Sequence, residues 1–122
     1  MARAFHGYSP MQDIAFDAEA VARFITDVIS GPGAVFVTET GMCGGVVSPL
    51  YFNPSALLAT ELVWWAPDGG RELREAFEAW AKESGAQLAG FSALHDDRLP
   101  AVTRIFRSAG FTPAETTFLK RL

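Results

Sequence analysis

A single carboxylate inside an apolar run is the first feature of this sequence that could carry chemistry. Glu61 opens the run ELVWWA (residues 61–66), which is otherwise aromatic and aliphatic and is stopped by Pro67. This composition predicts a buried strand. Burial disfavours the charged form of a carboxyl group and raises its pKa toward neutrality, which suits a general base. The alternative is a carboxylate at a strand end that faces solvent.

The short turn that follows this strand could bind an anion. Asp68, Gly69 and Gly70 precede a run whose apolar residues recur at three- and four-residue spacing, which predicts a helix over about residues 71–84. A helix N-terminus presents backbone N–H groups and the positive end of the helix dipole, which suits a phosphate. Arg71 could add a charge-assisted hydrogen bond. The alternative is an ordinary turn whose glycines only allow positive φ, with Asp68 as the helix cap.

The elements that must position these residues alternate between helix and strand. Two further helices are predicted between residues 17 and 31 and between residues 99 and 110, with a weakly ordered extended lead over residues 1–13. Further strands are predicted over residues 34–40, 45–52, 87–94 and 111–122, with a glycine turn at 41–44 and a bridging segment at 53–59. The order α-β-β-β-α-β-α-β predicts an α/β fold, a mixed sheet flanked by helices, in one domain over residues 1–122.

Three tryptophans lie in the strand and helix that carry these residues. Strand alternation predicts that Trp64 and Trp65 face opposite sides of the sheet, and helical spacing predicts that Trp80 is largely buried. We therefore assign them to the core rather than to an aromatic ligand cage.

Composition excludes several classes of function. The formal net charge of −4 argues against a nucleic-acid partner, which requires clustered Lys and Arg. Cys43 is the only cysteine and the two histidines are far apart, so we expect neither a disulfide nor a metal site. No apolar stretch is long enough for a membrane span or a signal peptide. These features predict a soluble, cytoplasmic protein.

Several strings of this sequence together resemble a known family. ELVWW, AFEAWAKESGA, SAGF and the closing ETTFLKRL occur in that order. They resemble the GNAT superfamily of acyl-CoA-dependent N-acetyltransferases, most closely the small members often encoded by bacteriophages. The resemblance covers roughly residues 34–122 in element order. It implies splayed central strands with acetyl-CoA bound between them and an amine as the acceptor. It also implies a location in the host-cell cytoplasm and allows a homodimer.

The resemblance also implies a donor-binding segment. By position, Trp65 and Ala66 contact the pantetheine arm, and Asp68, Gly69, Gly70, Arg71 and Glu72 surround the phosphates. The chain departs from the family pattern here. Its two glycines are adjacent, its turn is shorter, and the basic residue that usually leads the turn is missing.

Acyl transfer to a primary amine needs a base for the ammonium proton and benefits from an acid for the thiolate. Glu61 is the leading base, and His95, just after the next strand, is the second. Where the family often has an acidic Tyr, this chain has Phe106, which cannot ionise. Either Tyr8 or Tyr51 would then substitute, or the thiolate would leave without help from the protein. Phe106 and the shortened turn motivate an alternative, an inactive GNAT-like binding or structural module. An unrelated small α/β domain is a third reading.

Overall fold

The structure is a computed structural model that describes all 122 residues. They form two compact units, residues 1–92 and residues 93–122. The first unit contains helices α1 (Ala2–Tyr8), α2 (Ala18–Ser30) and α3 (Gly70–Glu83) and strands β1 (Gly33–Val37), β2 (Met42–Leu50), β3 (Asn53–Trp65) and β4 (Leu88–Gly90). The second unit contains helix α4 (Leu99–Ser108). No helix is both long enough and apolar enough to cross a membrane.

The four strands form one mixed sheet in the order β1-β2-β3-β4. The first three strands are antiparallel neighbours, whereas β4 runs parallel to β3. A parallel pair needs a crossover connection, and α3 provides it by packing across the sheet. The core lies under α3 and consists of side chains from the helix and from β2 and β3: Cys43, Ala59, Leu73, Phe77 and Ala81. The mixed α/β class predicted from the sequence is confirmed.

Both helices of the first unit that the sequence predicts are present. The Asp17 carboxylate accepts a hydrogen bond of 3.0 Å from the backbone N–H of Ala20, as expected for a helix cap. Helix α3 begins at Gly70, one residue earlier than predicted, and Gly85 follows it with a φ of 82°. A glycine is favoured there because this left-handed conformation is strained for other residues.

The central hairpin is longer than the sequence indicates. The predicted turn at residues 41–44 is wrong, because the turn closes between Thr38 and Gly41 and Met42 already belongs to β2. The predicted bridge over residues 53–59 is also wrong, since those residues form the first half of β3. Pairing with β2, such as Leu57 opposite Pro49, keeps them extended despite Pro54. Pro49 lies next to a register irregularity, as expected where proline cannot donate.

Three further segments also differ from the sequence prediction. The expected extended lead is a helix, α1, and the predicted strand over residues 87–94 is shortened to β4. The predicted C-terminal strand is absent: residues 111–122 form neither helix nor strand, and Phe118 is 89% exposed. A strand is stabilised mainly by its neighbours, so strand-like composition alone does not order a segment.

The tryptophans partly follow their predicted positions. The Trp64 ring packs against Phe91, 5.6 Å between centroids, on the α3 side of the sheet, whereas the Trp65 ring meets Tyr8 of α1 at 5.1 Å. The prediction of opposite faces is therefore confirmed. Trp80 is only half-buried, and the fully buried aromatic residue of α3 is Phe77, on which Trp80 packs at 5.3 Å.

Replacing Phe77 by Ala should therefore lower the free energy of unfolding by ~3 to 5 kcal/mol, because a fully buried ring leaves a cavity between α3 and the sheet. Urea denaturation followed by circular dichroism measures the change. Tyr51→Ala is the matched control, since Tyr51 is 96% exposed and its loss should cost less than ~0.5 kcal/mol. Equal losses in the two variants would contradict this position for the core.

Candidate functional site

Strands β3 and β4 separate after only three residue pairs. Their parallel pairing runs from Leu58 opposite Leu88 to Thr60 opposite Gly90. Glu61 and residues 63–65 of β3 continue to pair with β2 on the other side, whereas the pairing with β4 does not extend to them. An unpaired strand edge carries backbone donors and acceptors that an extended ligand can satisfy. The separation therefore creates an open backbone edge in the middle of the sheet.

A β-bulge lies at the start of this open edge. Gly44 is opposite Val63 and Gly45 is opposite Glu61, so Leu62 is an extra residue without a partner in β2. A Cβ at Gly45 would collide with the carbonyl oxygen of Thr60, which makes glycine necessary for the close approach. Bulges redirect the side chains that flank them. Here the bulge fixes the direction of Glu61.

Glu61 is buried, with 9% of its surface exposed. Its Oε2 accepts a hydrogen bond of 3.1 Å from the backbone N–H of Ser92, which lies beyond the end of β4. Burial raises the pKa of Glu61 from its ordinary value of 4.5 to about 7, although the hydrogen bond from Ser92 opposes that rise. Glu61 is thus a carboxyl group that can exchange a proton near neutral pH.

The nearby Cys43 thiol is not a nucleophile. Its side chain is fully buried, and burial raises its pKa to about 12, with a smaller contribution from the charge of Glu61. The reactive form of cysteine is the thiolate, which is suppressed at that pKa. Cys43 is therefore a core residue.

The turn after β3 has the backbone geometry of a helix N-terminus that faces solvent. Gly69 is the residue before α3 and has a φ of 66°, a left-handed conformation that favours glycine. Its carbonyl oxygen accepts from the N–H of Leu73 at 3.1 Å, which starts the helix. A Cβ at Gly70 would lie 3.3 Å from the Cβ of Ala66, so Gly70 lets the helix pack closely on the end of the strand.

The side chains around this turn carry opposed charges. Arg71 is exposed, and its Nε donates to Oε1 of Glu75 at 2.8 Å. That interaction raises the pKa of Arg71 and lowers the pKa of Glu75. Glu72 Oε2 is 3.9 Å from the position that a Cβ on Gly69 would take. Asp68 is exposed and makes no capping hydrogen bond, so its expected role as helix cap is not observed.

The remaining predicted residues lie elsewhere in the two units. His95 is exposed in the loop before α4, in the second unit. Phe106, also in that unit, packs against Phe111 at 5.2 Å. Tyr8 lies beside Trp65, near the open edge, whereas Tyr51 is at the opposite end of the β2–β3 hairpin, eight or more residues or roughly 25 Å from Glu61. No group of three or more metal-ligating side chains is present.

Two features of the site were missed by the sequence reasoning. One is the bulge at Leu62, although two adjacent glycines in β2, Gly44 and Gly45, are a known signal of bulges and close approaches. The other is the hydrogen bond from Ser92, for which no local pattern exists because it joins residues 31 positions apart.

Several known structures have a fold similar to that of this chain. An acetyltransferase of Trypanosoma brucei superposes with a TM-score of 0.69 over 99% of this chain and 90% of its own, at 10% identity. AAC(6')-Iy in complex with the bisubstrate analogue CoA-S-monomethyl-acetylneamine gives 0.68 over 99% and 88%, at 11% identity. A transcriptional regulator of Bacillus halodurans C-125 gives 0.72 over 99% and 91%, at 16% identity. No family model and no curated protein sequence matches the chain. The chain therefore has the fold of GNAT acetyltransferases.

The raised pKa of Glu61 predicts an unusual dependence of stability on pH. The folded state holds this proton more tightly than the unfolded chain, so the stability contribution is full below about pH 4.5 and is lost as the pH rises through about 7. The total loss is about 3 kcal/mol, of which about 2 kcal/mol falls between about pH 5 and about pH 8.

Urea denaturation at those two pH values tests this prediction. Glu61→Gln should lose about 2 kcal/mol less stability than the wild type over that interval, because the amide does not titrate. Glu39→Gln, an exposed acid removed as control, should follow the wild type. If Glu61→Gln also follows the wild type, Glu61 is not a titrating buried group.

Proposed function

We propose that this chain is an acetyl-CoA-dependent N-acetyltransferase that moves an acetyl group to a primary amine. One observation carries the proposal: the open backbone edge of residues 61–65 runs from the buried carboxyl group of Glu61 to the N-terminus of α3. Along one line the chain thus offers a proton acceptor at Glu61, a strand edge that can pair with an amide-bearing donor, and a helix N-terminus that can meet an anion.

The donor would bind as an added strand. The pantetheine arm carries amide groups that can pair with the backbone of β3 beyond its pairing with β4, in the manner of peptides that extend a sheet edge. Trp65 and Ala66 lie at the end of that edge and would contact the arm. The phosphates would then lie beside Gly69, within reach of the backbone N–H groups of Gly70, Arg71 and Glu72. AAC(6')-Iy, which shares this fold, has been solved with CoA, and this supports the assignment.

Glu61 would act as the general base. Its pKa of about 7 leaves a substantial fraction ionised at neutral pH and still allows it to hold a proton taken from an ammonium group. The freed amine nitrogen attacks the thioester carbonyl carbon, a C–N bond forms, the C–S bond breaks, and the proton that the nitrogen then loses passes to the departing thiolate. A thiol of ordinary pKa near 8.5 can leave as a thiolate, so the absence of an ionisable group at Phe106 does not block the reaction.

We also propose His95 as an alternative general base, and Tyr8 as a general acid near the open edge. Glu61 is preferred because it is the buried group whose hydrogen bond to Ser92 holds it where β3 and β4 separate. The proposal also includes membership of the small phage-encoded group, a location in the host-cell cytoplasm, and a homodimer.

A second function, a non-catalytic binding or structural module with the same fold, is favoured by one specific observation. The cation expected to meet the phosphates, Arg71, is engaged by Glu75. In that case the open edge would bind an extended segment without transferring an acyl group. Turnover of acetyl-CoA with any amine excludes this reading.

The decisive variant is Glu61→Gln. The amide oxygen can still accept the hydrogen bond from Ser92, so the fold and donor affinity should persist while the titrating group is lost. Turnover on a panel of primary amines should fall ~100- to 10,000-fold, the range for a positioned general base. In the wild type the rate should rise with pH through about 7, and this rise should vanish in the variant.

His95→Gln and Tyr8→Phe are the matched controls, one for each of the other proposed groups. If Glu61→Gln keeps the wild-type rate and pH profile while His95→Gln abolishes both, the base is His95. If the wild type hydrolyses or transfers nothing and does not bind acetyl-CoA, the non-catalytic module is supported instead.

A further inference from the structure

We infer that this chain recognises its donor through the pantetheine arm and gains little from the adenosine diphosphate part of CoA, so that a truncated thioester such as acetyl-pantetheine serves nearly as well as acetyl-CoA. The inference rests on the proposed function and names the donor class more closely. It comes from the charges at the N-terminus of α3.

The chain places its own carboxylates where the donor phosphates would lie. Asp68 is exposed immediately before the helix. Glu72 Oε2 is 3.9 Å from the Cβ position of Gly69, so this carboxylate lies over the turn itself. A carboxylate in the first turn interacts favourably with the helix dipole. It therefore offsets the positive potential that would otherwise attract a diphosphate, and it repels that diphosphate directly.

The cations of the same segment are already engaged. Arg71 Nε donates to Glu75 at 2.8 Å, and Arg74 Nη1 donates to Glu78 at 2.8 Å. Arg74 is in addition buried, with 10% of its side chain exposed, so it does not reach a ligand in solvent. Residues 68–78 carry four carboxylates and two guanidinium groups, which leaves the segment net negative.

The open edge of β3 has the opposite character. No charged residue occurs in residues 40–60, and along the open edge the only ionisable group is Glu61. The pantetheine arm is itself uncharged and binds through amide hydrogen bonds and apolar contacts. The charges of the chain therefore disfavour binding of the phosphates and have little effect on binding of the uncharged pantetheine arm.

Isothermal titration calorimetry with CoA and with reduced pantetheine, both at low salt, tests this directly. We expect the two dissociation constants to agree within about tenfold, because the phosphates add little net attraction. A CoA affinity more than about tenfold above that of pantetheine would overturn the inference while leaving the proposed function intact. If neither ligand binds at millimolar concentration, the proposed function fails, and the inference fails with it.

A charge-removal variant gives an independent readout. Asp68→Asn combined with Glu72→Gln keeps the shapes of both side chains and should tighten CoA binding at least about tenfold, with no comparable gain for pantetheine. Glu83→Gln, an acid at the far end of the same helix, is the matched control and should change neither affinity by more than about twofold. Unchanged CoA affinity in the double variant, or an equal gain for both ligands, would overturn the inference.

Discussion

The site depends on one substitution of hydrogen-bond partners between β3 and β4. Up to Thr60 and Gly90 the two strands pair through their backbones. Beyond that point the N–H of Ser92 is taken by the side chain of Glu61 rather than by a carbonyl group of β3. The strands can therefore diverge without leaving that donor unsatisfied. The buried carboxyl group of Glu61 thus satisfies the backbone donor of Ser92 and also lies where the two strands separate.

The bulge at Leu62 makes this arrangement compatible with the core. Strict alternation would place residues 61 and 64 on opposite faces of the sheet. With one extra residue between them, Glu61 is opposite Gly45 and Trp64 is opposite Cys43, and both face α3. Trp64 then fills the space beside Phe91, while Glu61 is held among apolar groups that raise its pKa. The same packing that stabilises the sheet thereby raises the pKa of the Glu61 carboxyl group to about 7.

Much of the framework could be predicted from the sequence because its signals are local. The helical spacing after Gly70, the helical pattern between residues 17 and 31, and the aromatic run that contains Trp64 and Trp65 each indicate one element, and all three are present. The burial of Glu61 follows from the same run. The mixed α/β fold class is confirmed, and the structural neighbours share the fold. The predicted order of elements differs at both ends, where α1 is added and the last strand is missing.

What could not be predicted depends on contacts between distant segments. The early start of β3 at Asn53 is set by pairing with β2, and residues 111–122 form neither helix nor strand although their composition favours a strand. The engagement of Arg71 by Glu75 is a helical i, i+4 pair that the sequence does contain. The family pattern, which assigns Arg71 to a phosphate, does not predict this pair.

The central claim is that the open edge of residues 61–65 receives the donor. Backbone amide chemical shifts, followed by ¹⁵N–¹H NMR while CoA is added, test this most directly. The account predicts that the largest changes fall on residues 61–66, between the bulge and the turn, with smaller changes at Gly69 and Gly70. Changes concentrated in any other part of the chain, with residues 61–66 unaffected, would contradict it.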